Sequence, residues 1–323
     1  MEYSQHGQYN YIASSVAMVR PLDFTYDPQT AEDNHFQRTP GIGDIAEIRR
    51  KAVGEFNGVV AELRKHGVHV IVVDKAEGAP NTPNAVFPNN WFATESDGRI
   101  TYFPMKSESR RLERQESHIE TVLDDAGRII RERVEIGEAD GSRGILEGTG
   151  AMVIDRKNRI IYAALSRRCE RALLDQFADR LGYRQVIAFE TADANGLPIY
   201  HTNVMMAVGD TFAVICEQCI QNEAYKREIL PVLSQDKEVI TITREQMEQG
   251  FCGNILQLAG TSGEKLIVLS DRARAHFTPD QLARLEQHGR LIGSNIDMIE
   301  SAGGGGIRCM LAEIFLPSVP AAV

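Results

Sequence analysis

Five stretches of this chain recur at a nearly constant interval, and that interval constrains the fold more than any other feature. Each opens on a polar or small residue and continues as an apolar run, to which the first four add a tight turn, a second apolar run and a helix-like segment. The opening positions are Asn90, Glu147, His201, Gly253-Asn254 and Cys309. They fall about 55 residues apart, as in an array of similar supersecondary units. Residues 90–94 turn at Asp97-Gly98 into 100–103, with a long charged helix predicted from about Glu108. Residues 151–154 turn at Lys157-Asn158 into 160–163, before a helix over 170–181 with apolar residues at one-face spacing. Residues 204–208 turn at Gly209-Asp210 into 212–215, before a helix near Asn222. Residues 255–258 turn at Thr261-Ser262-Gly263 into 266–269, and Thr278-Pro279 starts a helix as cap and first residue. Asp-Gly and Gly-Asp are hairpin punctuation.

The last unit has an apolar run at 310–316, which reads as a buried strand, but no helix after it. The first 75 residues supply what is missing: a strand at 15–20, a helix over about 44–66 and a strand at 68–73. The C-terminal strand is therefore expected to pair with the N-terminal one, closing a ring and removing exposed edges. The reading is one α/β domain over 1–323, built of five ββαβ-like units whose opening positions meet near the axis. Two independent α/β domains are the competing arrangement.

Gly303 to Gly306 precede Cys309 with only Ile307 and Arg308 between. Four successive glycines disfavour helix and strand, because each loses much backbone freedom on ordering. Such a loop delivers one thiol to the mouth of a strand. At Gly306 the backbone can approach a ligand closely and turn N–H groups toward developing negative charge.

Composition narrows the classes. The chain has 323 residues, 43% hydrophobic and 25% charged, which suits a globular protein with a sizeable core. Its net charge of −10 argues against nucleic acid, whose binding leans on Lys and Arg. No apolar run approaches membrane-spanning length, so no membrane contact is expected, and Met1 to His6 lack the features of a signal peptide. Five scattered cysteines are an odd number, which fits a reducing cytoplasm better than a disulfide framework. No zinc-ligand spacing or phosphate-cradling glycine motif is present, so no metal and no cofactor are called for. Homo-oligomerisation is left open. Cys216 and Cys219 have thioredoxin spacing without the flanking fold, and read as coincidence; Cys252 reads as packing.

If the ring closes, Asn90, Glu147, His201, Asn203 and Cys309 converge. Cys309 is then the candidate nucleophile, because a thiolate attacks planar carbon well at neutral pH. His201 is the candidate acid–base group. Glu147 orients the imidazole, binds a substrate N–H, or does both. Taken singly, such a histidine is more often a hydrogen-bonded core residue and such a glutamate a turn residue. Their placement at matched repeat positions favours chemistry.

Phe87-Pro88-Asn89-Asn90-Trp91-Phe92, Glu147-Gly148-Thr149-Gly150, Leu165-Ser166-Arg167-Arg168, His201-Thr202-Asn203 and Gly305-Gly306-Ile307-Arg308-Cys309-Met310 stand in order along the chain. Together they resemble the landmarks of the guanidino-group modifying enzymes, the pentein-fold amidinotransferase superfamily of arginine deiminases, dimethylarginine hydrolases and glycine amidinotransferases. The resemblance covers residues 10 to 316. It implies a five-bladed α/β propeller, a covalent cysteine adduct and no metal, with nucleophile, histidine and glutamate at Cys309, His201 and Glu147. It also implies that Arg168 binds a substrate carboxylate, assisted by Arg110 or Arg111. For that last pair an exposed helix face is the commoner fate of the residue type.

The departures from the family pattern bear on the substrate. Arginine-processing relatives carry Asp where this chain has Asn90, His-x-Asp where it has His201-x-Asn203, and often Glu-Gly-Gly-Asp where it reads Glu147-Gly148-Thr149-Gly150-Ala151. Carboxylates there would hold a cationic guanidinium by charge-assisted hydrogen bonds. An amide both donates and accepts, so Asn90 and Asn203 suit a neutral ureido group. Citrulline is the expected substrate, yielding ornithine, ammonia and carbon dioxide, and the superfamily includes a citrulline-hydrolysing branch. Arginine deiminase, dimethylarginine hydrolase and amidinotransferase activities are the alternatives, as is a non-catalytic scaffold of the kind this fold provides in a ribosome-associated factor.

Overall fold

The computed structural model describes residues 11–39, 41 and 44–319; the N-terminal residues read above for a leader lie outside them. Strand β1 (Ser15–Val19) runs parallel to β2 (His69–Val73), from Ser15↔His69 to Val19↔Val73. Helix Ile45–Lys65 makes the crossover. The Asp44 carboxylate accepts from the Ala46 N–H to cap it, and Ile48, Ala52, Phe56, Val59, Val60 and Leu63 form its buried stripe.

Four further sheets follow along the chain, each with an antiparallel hairpin and then a parallel third strand. They are β3 (Phe92–Thr94), β4 (Arg99–Tyr102) and β5 (Glu132–Glu135); β6 (Val153–Asp155), β7 (Ile160–Ala164) and β8 (Gln185–Phe189); β9 (Met206–Val208), β10 (Phe212–Ile215) and β11 (Glu238–Thr241); and β12 (Leu256–Ala259), β13 (Lys265–Ser270) and β14 (Arg290–Ser294). A parallel third strand requires a crossover, and helical segments supply it. The last strand, β15 (Ala312–Glu313), pairs antiparallel with β1 at Val16↔Glu313 and Ala17↔Ala312. The first sheet thus has the same antiparallel-then-parallel order as the others, assembled from both ends of the chain. Central-strand residues Val16, Ile100, Ile161, Val214 and Ile267 are fully buried. Among the described residues no helix is long and apolar enough to cross a membrane.

Helices Arg171–Leu181 and Glu223–Leu233 lie where periodicity puts them, and Thr278 with Gln281 forms the capping box of Pro279–Glu286. Other expectations are corrected. The long helix from Glu108 is two, Glu108–Arg111 and Glu116–Asp125. The apolar runs after the landmarks do not begin as strands. Pro88–Asn90, Gly148–Ala151, Thr202–Met205 and Ile307–Met310 are single helical turns, and strands start only beyond them. Of the run 310–316 only Ala312–Glu313 is strand. A short apolar run buried all round gives the same pattern in a turn and in a strand, so composition does not separate the two. Gly303 ends helix Asp297–Gly303, and Gly304 terminates it in the left-handed conformation (φ 66°) that glycine adopts without a Cβ penalty.

Candidate active site

The helical turns carry the site. Each directs its landmark side chain inward, and successive turns are tied by hydrogen bonds. Thr149 Oγ1 donates to the Asn89 carbonyl (3.3 Å), Asn203 Nδ2 to the Thr149 carbonyl (3.2 Å), and Asn254 Nδ2 to the Asn203 carbonyl (2.9 Å). The Arg308 N–H then donates to Asn254 Oδ1 (3.0 Å), which fixes the turn that bears Cys309. Close approach of the turns depends on glycines, Gly150 and Gly306 among them. A Cβ on Gly150 would lie 2.2 Å from Asn90 Nδ2 and 2.8 Å from His201 Nδ1, and one on Gly306 would lie 2.6 Å from Asn254 Oδ1.

Cys309 is buried, and its Sγ lies 3.3 Å from Asn254 Nδ2 and 3.5 Å from Asn203 Nδ2. Burial raises its pKa; the Asn254 amide, the Arg308 charge, the Asn203 amide and the Gly306 backbone oppose that rise. His201 Nε2 is 2.7 Å from Glu147 Oε2. An ionised carboxylate only accepts, so Nε2–H donates, leaving the Nδ1 lone pair on the side of Gly150. Burial lowers the His201 pKa despite the pull of Glu147, so the imidazole rests neutral.

Glu147 has no exposed surface. Its Oε1 accepts from the Lys106 N–H (3.0 Å), and Arg168 Nη1 and Arg110 Nη1 stand 3.4 and 3.9 Å from Oε2. Burial favours its neutral form, but Arg168, His201 and Arg110 outweigh that and hold the carboxyl well below the usual carboxylate range.

Arg110 is buried rather than on an exposed helix face. It grips Glu113 through Nε (3.0 Å) and Nη2 (2.8 Å) and donates from Nη1 to Asn90 Oδ1 (2.7 Å). Arg111 instead donates to the Met105 and Lys106 carbonyls. Arg168 donates to Asp33 and the Thr30 carbonyl and lies 5.1 Å from the Tyr200 ring centroid. Tyr200 also donates to the Gly304 carbonyl and lies 4.6 Å from the His201 ring.

A cavity of about 260 Å³ brings together Asn90, Arg110, Arg168, His201 and Cys309, with Thr30, Asn34, Asn84, Phe87, Tyr200, Gly303 and Gly305 completing its wall. Glu147 sits behind it, while Asn203 and Gly306 hold the Cys309 turn without lining the cavity. A larger cavity, ≈ 620 Å³, reaches Thr149, Asn203 and Arg308 but neither Cys309 nor His201. The arrangement has the parts of covalent catalysis: a thiol, a neutral imidazole with an orienting carboxylate, and amide donors on the sulfur.

Sequence reasoning passed over Asn254, Tyr200, Glu113 and the stretch holding Thr30, Asp33 and Asn34. Asn254 occupies the fourth repeat position, which was the available signal. Residues 27–37 reach the site through one short helical turn, Pro28–Ala31, and irregular chain beyond it, a stretch too short for periodicity to mark. Asn254→Ala is expected to lower kcat about tenfold, since two amide donors share the sulfur, and to leave KM nearly unchanged. Steady-state kinetics on the purified variant checks it.

The family model described as N,N dimethylarginine dimethylhydrolase, eukaryotic, matches residues 20–316. No curated protein matches the chain. Among solved structures, it is similar to the substrate-bound N-terminal domain of ArgZ, an arginine dihydrolase from the ornithine-ammonia cycle in Cyanobacteria (16% identity, 94% of this chain and 99% of that one, TM-score 0.67). It is similar to a variant of AgrE in complex with L-arginine (16%, 95% of this chain and 41% of that one, 0.67). It is also similar to a dimethylarginine dimethylaminohydrolase variant carrying an adduct with S-methyl-L-thiocitrulline (17%, 94% and 100%, 0.64). At these identities the structures establish a shared fold.

Proposed function

The chain belongs to the N,N dimethylarginine dimethylhydrolase family, within the pentein-fold amidinotransferase superfamily, and from that premise we propose that it hydrolyses the ureido C–N bond of citrulline through Cys309. The five sheets then form the blades of an α/β propeller in one catalytic domain.

One observation carries the substrate reading. The cavity wall contains two arginines and no carboxylate. Arg110, Arg168 and Lys106 are set against Glu113, Glu147 and Asp33, each with a named partner. Burial, against the pull of Arg110, also pushes Glu113 up to about 7, which thins the negative charge further. A guanidinium entering this cavity meets no carboxylate in its wall and keeps its desolvation cost. A ureido group brings no charge.

In this mechanism the Cys309 proton passes to His201 Nδ1 as Sγ attacks the ureido carbon. Glu147 stabilises the resulting imidazolium, and the Asn254 and Asn203 amides hold the sulfur. His201 returns the proton to the departing amine, leaving a carbonyl–sulfur adduct. A water molecule, deprotonated by His201, attacks that carbonyl and frees the thiolate. The carbamate so released breaks down to carbon dioxide and an amine, so the products are ornithine, ammonia and carbon dioxide.

Family membership favours a second reading, hydrolysis of methylated arginine. A panel of citrulline, arginine, methylated arginines, agmatine and carbamoylputrescine, scored by amine release, separates the two. Citrulline is expected to lead. The change Asn90→Asp is expected to move the citrulline-to-arginine ratio of kcat/KM toward arginine by at least about tenfold, the worth of one charge-assisted hydrogen bond. Arginine turnover with citrulline inert would return the guanidino reading.

A further inference from the structure

The turn after β10 holds two thiols that the proposed reaction does not use. Cys216 opens the 3₁₀ turn Glu217–Cys219, and the two sulfurs are 3.3 Å apart. A disulfide requires about 2.05 Å, so side chains must close by little more than an ångström. Arg244 braces the turn: its N–H donates to Gln218 Oε1 and its Nη2 to the Gln218 carbonyl (2.6 Å). Its buried Nε has no hydrogen-bond partner, and its charge acts on the Cys219 thiol. The contact with Cys216 and the Arg244 charge hold the Cys219 pKa down against burial. Gln218, between the cysteines, is exposed, so the turn lies at the surface although both sulfurs are covered.

The turn is also tied to the catalytic segment on both flanks. The Cys216 N–H donates to the Met205 carbonyl (2.9 Å), at the end of the helical turn Thr202–Met205 that follows His201 and contains Asn203. The Cys219 carbonyl accepts from the Ala192 N–H (2.8 Å), in the loop that leads to Tyr200.

We propose that Cys216 and Cys219 are a reversible redox modification site, oxidised by a small hydroperoxide to an intrachain disulfide that displaces the segment bearing His201 and Asn203. The Cys219 thiolate attacks a peroxide oxygen, breaking the O–O bond to give the sulfenic acid and hydroxide. The Cys216 thiol then attacks the sulfenic sulfur, and its proton leaves with the hydroxyl as water. Two thiols lose two electrons and one peroxide gains them. Displacement of that segment by about 1 Å is worth up to about a hundredfold in turnover.

The test exposes the full chain to hydrogen peroxide, blocks free thiols with iodoacetamide under denaturing conditions and maps peptides by mass. The peptide with residues 216 and 219 is expected unalkylated and two mass units lighter, with alkylation restored by dithiothreitol. If both thiols stay free at a dose that already oxidises Cys309, the site is overturned. Amide hydrogen exchange over 201–206 is expected to accelerate in the oxidised chain; unchanged exchange overturns the coupling. Neither readout needs a substrate, so both stand if the citrulline reading fails. Where citrulline is turned over, peroxide is expected to lower wild-type turnover by up to about a hundredfold, reversibly. The Cys216→Ser, Cys219→Ser variant, whose Cys309 meets the same peroxide, is expected to keep its rate. Equal losses in the two proteins overturn the coupling.

Discussion

Cys309→Ala is expected to abolish turnover, a loss of about four orders of magnitude or more in kcat, while the chain keeps its fold. The sulfur is the one atom placed to attack, and removing it leaves no route to a covalent adduct. The fold survives because both amides on the sulfur have second partners. Asn254 Nδ2 also donates to the Asn203 carbonyl and Asn203 Nδ2 to the Thr149 carbonyl. No buried donor is orphaned, so the stability cost stays near that of a small cavity, about 1 kcal/mol. Cys309→Ser is expected to be equally inert, since a hydroxyl is far harder to ionise. Amine release and thermal unfolding check both halves. Appreciable activity in Cys309→Ala removes covalent catalysis from the account.

Glu147→Gln is expected to cost more stability than Cys309→Ala and to lower activity as well. The carboxylate faces the Lys106 N–H, His201, Arg168 and Arg110 with no exposed surface. A glutamine side chain must turn a donor toward one of these donors. Breaking a buried ion pair in this way costs about 3–5 kcal/mol. It also deprives the imidazolium of its counter-charge, and a hundredfold or greater drop in kcat is expected, about the contribution of the general acid–base step.

The pH dependence has a definite sign. Arg168, His201 and Arg110 outweigh burial and depress the folded-state pKa of Glu147. Its contribution to stability is therefore complete above the unfolded value of about 4.3 and is lost as pH falls from there toward the folded value. Wild-type Tm should drop on acidification below that point, and Glu147→Gln should lack this part of the slope. Glu113, raised to about 7, has the opposite sign: its contribution declines as pH rises from the unfolded value toward 7. Tm measured across pH 3 to 8 separates the two limbs; parallel curves for the two proteins would refute the assignment to Glu147.

Much of this was legible in the sequence, for a particular reason. Sheet formation in this chain is local: each hairpin and its helix lie within one repeat, so apolar alternation and turn dipeptides report on contacts close in sequence. Pairing of the two chain ends was legible too, because an array with one strand left over at each end has unpaired edges to satisfy. The Cys309, His201 and Glu147 positions emerged from the repeat itself, as the residues with reactive side chains at matched places.

The rest depended on contacts far apart in sequence. Arg110 gave no sign of burial, because a charged helix looks the same whether it faces solvent or Glu113 and Asn90. Asp33 and Thr30 meet Arg168 across 135 and 138 residues, from a single helical turn and the chain after it, too short for periodicity to betray it. The sequence by itself determined the units, their order and the reactive residue types, since short-range patterning encodes those. The tertiary structure alone decided which charges neutralise one another around the cavity, because burial and distance set electrostatic energies and neither is a property of a residue taken alone.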